Sequence, residues 1–363
     1  MNASLRAALV AALVTAAAAV APAAAGAAAL QDSEANDFPF PGADTIALND
    51  GSNAYGTYGA SGNTGKHVPW AVHGSGNVVG SSPAVGGDAL PNGGGAWTGS
   101  RGIWTPGAFY YVKAGVGRYY LFYTATRKNS GGRKCIGVAH STQPFTGYLA
   151  EPKPLVCPDK GNRWAIDADV TQAPGGAIWM TWRDGQRAQG LESALSAMRL
   201  KFRRNGTVDR GSRPRVILRS DNLTWAHFGD HQGVTVIENP SAFYNQGAWY
   251  LFYSGNSWNT NYYSTGVAYC GARLADGLCR PKPNRRRAWF SYAGPGTALP
   301  RSLRRHRLPG NKRGPGAMDV YRARDGQPWV TWNYLSDAGG RRSRTGRLLV
   351  TGTGGKADFK VRR

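Results

Sequence analysis

Three acidic side chains stand at nearly matching positions along the chain, and they are Asp44, Asp167 and Glu238. Asp167 and Glu238 each come twelve residues before the first aromatic of a strand-like segment, and Asp44 comes eleven before another. Hydrolysis of a glycosidic bond requires two carboxyl groups of opposite protonation state, because one activates water while the other protonates the departing oxygen. A third carboxylate nearby can keep the acid protonated through like-charge repulsion. With only 21 acidic residues against 44 basic ones, this recurrence predicts a catalytic cluster.

The aromatic segments themselves form a fivefold repeat. Each has two aromatics three residues apart, namely Tyr55/Tyr58, Tyr120/Tyr123, Trp179/Trp182, Tyr250/Tyr253 and Trp329/Trp332. Strands that are apolar on both faces must be covered on both faces, as in radially stacked sheets. Five such repeats predict a five-bladed β-propeller with a central channel. A pair of β-sandwiches is the alternative, but it does not account for the regular recurrence.

The carboxylates fit this architecture because the first strand of each propeller blade lines the channel. Residues at equivalent places near the strand starts would then surround its mouth. Counting back from the aromatic pairs of the two remaining repeats places Ala108 and Ala317 at the equivalent positions. Three acids would therefore share one ring, unless each pairs with a basic residue or together they bind a cation.

Composition also favours an all-β fold. The chain has 50 Gly, 21 Pro, 12 Trp, 17 Tyr and 11 Phe, which suits many short strands and turns. No long stretch after the N-terminus has convincing helical periodicity. Residues 30–363 are therefore expected to form one propeller domain.

The N-terminal residues 1–29 have the pattern of a signal peptide. A basic Arg6 precedes a run of small apolar residues, and Ala-x-Ala sites follow near Pro22. A membrane anchor is the alternative, but the run is dominated by weakly apolar alanine, and no later segment approaches the ~20 apolar residues of a spanning helix. We expect a secreted, extracellular protein without a membrane partner.

Four cysteines, Cys135, Cys157, Cys270 and Cys279, permit three disulfide pairings. Export makes disulfides expected, and we favour the pairs close in sequence, Cys135 with Cys157 and Cys270 with Cys279. Neither spacing resembles a zinc site.

The net charge of +23 is large, with basic stretches at 280–287 and 301–313. Export argues against nucleic acid as a partner. The charge either makes the surface soluble or attracts an anionic cell-wall matrix such as pectin, in which case binding weakens with salt.

At the acidic residues the sequence resembles glycoside hydrolase family 43, a group of five-bladed propellers that includes arabinanases and xylosidases. The resemblance covers nearly the whole chain after residue 29, and its segments are GADTIALNDGSNAYGTYG, IWTPGAFYY, WAIDADV and VIENPSAFYNQGAWYLFYSGN. It implies an inverting mechanism in which Asp44 is the general base, Glu238 the general acid and Asp167 the modulator of the acid's pKa. Asp169 is the second choice for the modulator, because alternation along a strand would point it outward.

The sequence also departs from the family pattern. Thr45 and Ala168 replace prolines, and Ala317 and Met318 stand where many relatives have a histidine near a bound calcium ion. No cofactor is expected, calcium is doubtful, and Asp319 is a candidate substitute for the histidine.

Three side chains near these segments are candidates for substrate binding: Trp104, Trp164 and His231. Aromatic rings can stack on sugars, although most tryptophans in such a chain pack between blades. The expected substrate is a pentose-containing polysaccharide or oligosaccharide with α-L-arabinofuranosyl or β-D-xylosyl linkages, a preference that rests on the resemblance. The alternatives are a propeller that binds carbohydrate without cleaving it and a propeller that binds polyanions.

Overall fold

Twenty-four β-strands and one short 3₁₀ turn account for the regular structure of the described residues in the computed structural model. The structure describes residues 37–51, 54–61, 65–73, 84–99, 102–159, 163–186, 193–221, 223–227, 236–292, 304–308, 312–337 and 340–362. The predicted signal peptide lies outside these ranges, so it stays a prediction. Within them, no helix has the length and apolarity needed to cross a lipid bilayer.

The first two antiparallel units of the fold follow each other along the chain. Blade I contains β2 (Asp44–Ala47), β3 (Tyr55–Tyr58), β4 (Pro69–His73) and β5 (Ala84–Asp88). Blade II contains β6 (Trp104–Lys113), β7 (Val116–Thr126), β8 (Lys134–Ser141) and β9 (Leu149–Ala150). In both units the strands pair in chain order, as successive hairpins do.

The next two units have additional outer strands. Blade III contains β10 (Arg163–Gln172), β11 (Ile178–Gln186), β12 (Ser193–Phe202), β13 (Val208–Arg210) and β14 (Arg215–Arg219). Blade IV contains β15 (Ile237–Asn245), β16 (Ala248–Gly255), β17 (Ser264–Gly271), β18 (Arg280–Lys282), β19 (Ala288–Tyr292) and β20 (Arg304–Leu308). A parallel bridge between Trp164 and Lys134 joins blades II and III.

Blade V combines the two ends of the described chain. It contains β21 (Arg313–Arg322), β22 (Pro328–Leu335), β23 (Arg341–Thr351), β24 (Asp358–Arg362) and the early strand β1 (Asp37–Phe38). β1 pairs antiparallel with β23. Asp37 also accepts a hydrogen bond from the Tyr334 hydroxyl and lies 3.7 Å from the Arg344 guanidinium, and both members of this ion pair are buried. The N-terminal strand therefore closes the last blade.

The innermost strands form a closed ring. β2 contacts β6, β6 contacts β10, β10 contacts β15, β15 contacts β21, and β21 contacts β2 again. The predicted five-bladed propeller is thereby confirmed, and the paired-sandwich alternative is wrong.

The repeated aromatics lie on the second strand of every blade, where they pack in both directions. On β7, Tyr120 and Phe122 pack in a core shared with blade III, whereas Leu121 and Tyr123 pack in a core shared with blade I. Successive side chains of a strand point to opposite faces, so one strand joins both neighbours. The two disulfides form as predicted, Cys135–Cys157 and Cys270–Cys279.

Four inner strands share one β-bulge near their start. In blades II to V, the inner strand advances by three residues where its partner strand advances by two, so that the inner strand has one extra residue. The bulged residue has a positive φ in each case: Thr105 (32°), Asp167 (58°), Asn239 (47°) and Ala317 (46°). Left-handed backbone is costly for residues other than glycine and gathers at functional sites. The bulge thus redirects side chains at the top of the channel.

This bulge corrects the predicted equivalence of the three acids. The residue two positions after the bulged one is Gly107, Asp169, Ser241 and Asp319 in blades II to V, and Asp44 holds the same place after Gly42, whose φ is 60°. Asp167 is the bulged residue itself, and Glu238 precedes one. The three predicted acids therefore occupy three different positions: Ala317 is the counterpart of Asp167 alone, and Ala108 is the counterpart of none of them.

Candidate active site

Asp167 and Glu238 form a close acidic pair on neighbouring blades. Both side chains are buried. The Asp167 carboxylate accepts a hydrogen bond from the Thr105 hydroxyl at 2.7 Å and one from the Asn239 backbone N–H at 3.2 Å. Since Asn239 follows Glu238 directly, the bulge of blade IV fixes the distance between the two acids.

Two further side chains hold the Glu238 carboxylate. Arg183, on the second strand of blade III, lies 2.7 Å from Oε2, and the Tyr263 hydroxyl donates to Oε1 at 2.9 Å. Tyr263 in turn accepts from the Asn239 side-chain amide at 2.8 Å, while the Arg341 guanidinium stacks 4.5 Å from its ring centre. Two cations and a phenol therefore orient an acid that has little contact with water.

Burial and, after it, the neighbouring charge of Glu238 raise the pKa of Asp167 to about 7, against the lowering effect of the hydrogen bond from Thr105. Asp167 therefore keeps its proton up to about neutral pH, next to the carboxyl group of Glu238. A carboxyl group that keeps its proton near neutral pH is what acid catalysis needs.

Asp44 belongs to a second acidic group, with Asp169 and Asp319. Carboxylate oxygens of the three lie within 4.8 Å of one another. Asp169 was expected to point outward, and this is wrong: residues two apart on a strand share a face, and both Asp167 and Asp169 line the small cavity in the channel. The structure thus separates the three predicted acids into a pair and a member of a trio.

Each acid of the trio also joins two blades. Asp44 accepts the backbone N–H of Ala108, Asp169 that of Ala242 at 2.9 Å, and Asp319 that of Thr45 at 2.9 Å. In blade IV, Ser241 accepts from Val320 N–H in the same manner. The trio therefore has a structural role at the blade interfaces, whatever chemistry it also supports.

Burial and mutual repulsion raise the pKa values of the trio. Burial is the main cause for Asp44 and Asp319, whose pKa values lie well above the usual range, with Asp169 adding repulsion to both. Burial raises the pKa of Asp169 to about 7. Bound protons neutralise such a cluster, and a hard cation such as calcium would do the same, with these carboxylates as its ligands. Asp319, the predicted substitute for the histidine, is thus one of three carboxylates that could hold a cation, and that role stays a prediction.

A small cavity lies between Asp167 and the trio. Its volume is about 40 Å³, and its lining includes Asp44, Asp167, Asn239 and Met318. A water molecule needs about 10–15 Å³ of such space, so water fits between Asp44 and Asp167. On the other side of the trio, a wider cavity of about 570 Å³ opens toward the later residues of the inner strands.

Two of the three predicted substrate-binding residues lie beside the acidic pair. Trp164 packs edge-on against Trp104 at 5.7 Å and lies 5.9 Å from the guanidinium of Arg183. Trp104 is 38% exposed, and the Lys134 ammonium lies 3.6 Å from its ring centre. An exposed ring held in place by a cation can stack on a sugar. The third residue, His231, lies outside the described residues.

Several site residues were not predicted from the sequence, among them Arg183, Tyr263, Arg341 and Lys134. Arg183 directly follows Trp182 of the aromatic repeat. A basic residue beside a repeated aromatic in an otherwise apolar strand could have indicated that this side chain lies near the acids. Lys134 reaches the site from the third strand of blade II, and Tyr263 from the residue directly before the third strand of blade IV, for which the repeat gives no position.

The trio predicts an unusual dependence of stability on pH. The folded-state pKa of Asp169 is about 7, against 3.8 for the free side chain. Its contribution to stability is therefore complete below pH 4 and is lost as pH rises through 7. We expect the melting temperature to fall by several degrees between pH 5 and pH 8, and Asp169→Asn, which keeps an acceptor for Ala242 N–H, to reduce this fall. Calorimetry measures both, with Asp325→Asn at an exposed turn as the matched control; equal pH dependence in all three proteins would contradict the prediction.

Comparison with known proteins links this geometry to a family. The sequence model described as Glycosyl hydrolases family 43 matches residues 85–347, a range that contains Asp167 and Glu238 and begins after Asp44. A comparison with curated protein sequences found no significant match.

Three solved structures illustrate the structural similarity. A thermostable family-43 glycoside hydrolase has a TM-score of 0.63 at 19% identity, covering 90% of this chain and 96% of that one. An exo-1,5-alpha-L-arabinanase from a bovine ruminal metagenomic library has 0.61 at 16%, covering 90% and 98%. An alpha-L-arabinofuranosidase from Lactobacillus brevis has 0.62 at 15%, covering 87% and 92%. At such identities the likeness concerns the fold.

Proposed function

The chain belongs to family 43 of the glycosyl hydrolases, and on that premise we propose that it is a secreted inverting enzyme that cleaves bonds to pentose units in a polysaccharide. The observation that carries the proposal is the buried Asp167–Glu238 pair, which retains a proton at neutral pH beside a small cavity. Secretion is supported by the N-terminal pattern and by two disulfides, which persist in oxidising compartments.

In the proposed mechanism, Asp44 removes a proton from a water molecule in the small cavity, and that water attacks the anomeric carbon. Glu238 donates a proton to the departing glycosidic oxygen as the bond breaks. Asp167 keeps the proton available on the pair, because its negative charge would otherwise adjoin that of Glu238. Attack from the face opposite the leaving group inverts the anomeric configuration.

The raised pKa of Asp44 bears on its role as base. Its burial among Asp169 and Asp319 makes the carboxylate more basic than a solvated one, at the cost of a smaller ionised fraction near neutral pH. Arg183 stabilises the ionised form of Glu238 after the proton has left. The proposed base therefore has anionic neighbours, which raise its pKa, whereas the proposed acid has a cationic neighbour, which stabilises its ionised form.

We propose α-L-arabinofuranosyl bonds ahead of β-D-xylosyl bonds as the substrate. Structural relatives include an arabinanase and an arabinofuranosidase as well as a xylosidase. Trp104 offers an exposed ring for a sugar next to the cleavage point.

A panel of substrates tests this function. Release of reducing sugar is measured on arabinan, arabinoxylan and xylan, and on aryl α-L-arabinofuranosides and aryl β-D-xylosides. Proton NMR at early times follows the anomer of the released sugar. We expect turnover of at least one pentosan with inversion; turnover with retention would contradict the mechanism, and binding of these polymers without any cleavage would favour the non-catalytic alternative.

A further inference from the structure

A second groove lies between blades III and IV, away from the acidic pair. Its volume is about 590 Å³, and Trp179 of β11 and Trp249 of β16 contribute to its walls. Trp179 stands four residues before Arg183 on the same strand, which separates the two sites by about 13 Å along β11. The groove is therefore distinct from the site of cleavage.

Positive charge dominates the lining of this groove. Four arginines line it, Arg199, Arg213, Arg215 and Arg273, against a single acid, Asp276. All four are exposed. Arg273 lies 3.9 Å from Asp276, and within the described part of the chain no acid forms an ion pair with the other three. Three guanidinium groups thus remain available to an anionic ligand.

An aromatic surface accompanies these charges. Trp179 is half-buried and packs against the core cluster shared by blades III and IV. The Arg199 guanidinium lies 5.3 Å from the centre of its ring. Flat rings bind the faces of sugars, and guanidinium groups bind carboxylates with two parallel hydrogen bonds.

The groove is built in advance of binding. The loop that carries Arg273 and Asp276 is closed by the Cys270–Cys279 disulfide. Cys279 N–H donates to the Ile217 carbonyl at 2.7 Å, which ties the loop to blade III, and Leu274 is buried beneath it. Walls fixed in this way lose little conformational entropy when a ligand binds.

We propose that this groove is a secondary binding site for a run of uronic acid residues in an acidic polysaccharide. Carboxylates at regular intervals would meet the three arginines, while a sugar ring lies against Trp179. Such a site would hold the protein on an anionic wall polymer independently of the cleavage reaction, and its test does not depend on the proposed function.

Direct binding tests the site. Calorimetric titration with de-esterified polygalacturonate oligosaccharides compares the wild type with the triple variant R199Q/R213Q/R215Q. The matched control is R285Q/R286Q/R287Q, which removes three exposed arginines from the turn between β18 and β19. We expect affinity to fall at least tenfold in the groove variant and less than about twofold in the control. Melting temperatures check that both variants are folded.

Three further arms separate the chemistry. Fully methyl-esterified oligosaccharides should bind at least tenfold more weakly than the acidic ones, because their carboxylates are gone. Trp179→Leu, which keeps apolar packing, should weaken binding to the acidic oligosaccharides, and inorganic sulfate should compete only at far higher concentration. Equal losses in the groove and control variants, equal binding of the esterified ligand or absence of binding to the wild type would each overturn the proposal.

Discussion

Asp44→Asn is expected to lower the turnover of a pentosan by about 10³-fold, the range associated with loss of a general base. The amide keeps an oxygen that can accept the Ala108 N–H, so the contact between blades I and II is preserved. It cannot take a proton from the water in the small cavity. Steady-state rates on the polymer measure the loss, and circular dichroism with a melting curve checks the fold.

The trio supplies matched controls for this variant. Asp169→Asn and Asp319→Asn each remove one acid from the same cluster and keep the acceptor for the next blade. If Asp44 is the base, both controls stay active. Removing a like charge also lowers the pKa of Asp44, so the acidic limb of their pH–rate profiles should move to lower pH. Equal loss of activity in all three variants, or full activity of Asp44→Asn, would show that the trio acts only at the blade interfaces.

Glu238→Gln is expected to have the second large effect, and its size should depend on the leaving group. Hydrolysis of a polymer, whose departing oxygen needs a proton, should slow by about 10³-fold. A dinitrophenyl arabinofuranoside, whose leaving group departs as a stable anion, should lose far less. The glutamine retains an acceptor for Arg183. The ratio of the two losses is the measurement.

Asp167→Asn is the control for the acid. It removes the group that keeps its proton near neutral pH beside Glu238, so the basic limb of the pH–rate profile should move to lower pH. Glu238→Gln alone should show the dependence on the leaving group. If Asp167→Asn shows it instead, the proton comes from Asp167 and the two roles are exchanged.

The aromatic recurrence was sufficient to predict the propeller, because inter-blade packing imposes the same apolar strand in every repeat. Counting residues back from those aromatics was not sufficient for the acids. The count assumes hairpins of equal length, yet Asp44 and Asp319 occupy equivalent places at eleven and ten residues before their aromatics. A bulge adds another residue and shifts the count further. The outward orientation expected for Asp169 fails for a simpler reason, because residues two apart on a strand share a face and Asp169 therefore lies on the side of Asp167.

Arg183 and Tyr263 illustrate what a linear sequence withholds. Arg183 is 55 residues and Tyr263 is 25 residues from Glu238 along the chain, yet both contact its carboxylate. No spacing rule links them, since the contact depends on how one blade faces the next. The sequence around each aromatic pair predicts candidate catalytic acids. The side chains that contact those acids and shift their pKa values depend on how the blades come together when the ring closes.

The pairing of β1 with β23 has a consequence for biosynthesis. A ribosome completes Phe38 roughly three hundred residues before its partner Ser343 exists. Until β22 and β23 have been made, Asp37 lacks its contacts with the Tyr334 hydroxyl and the Arg344 guanidinium. In a chain truncated before β23, blade V stays open and Asp37 has no guanidinium beside it. The pairing of β1 with β23 thereby tests whether translation has passed residue 344, because a chain that stops earlier cannot complete blade V.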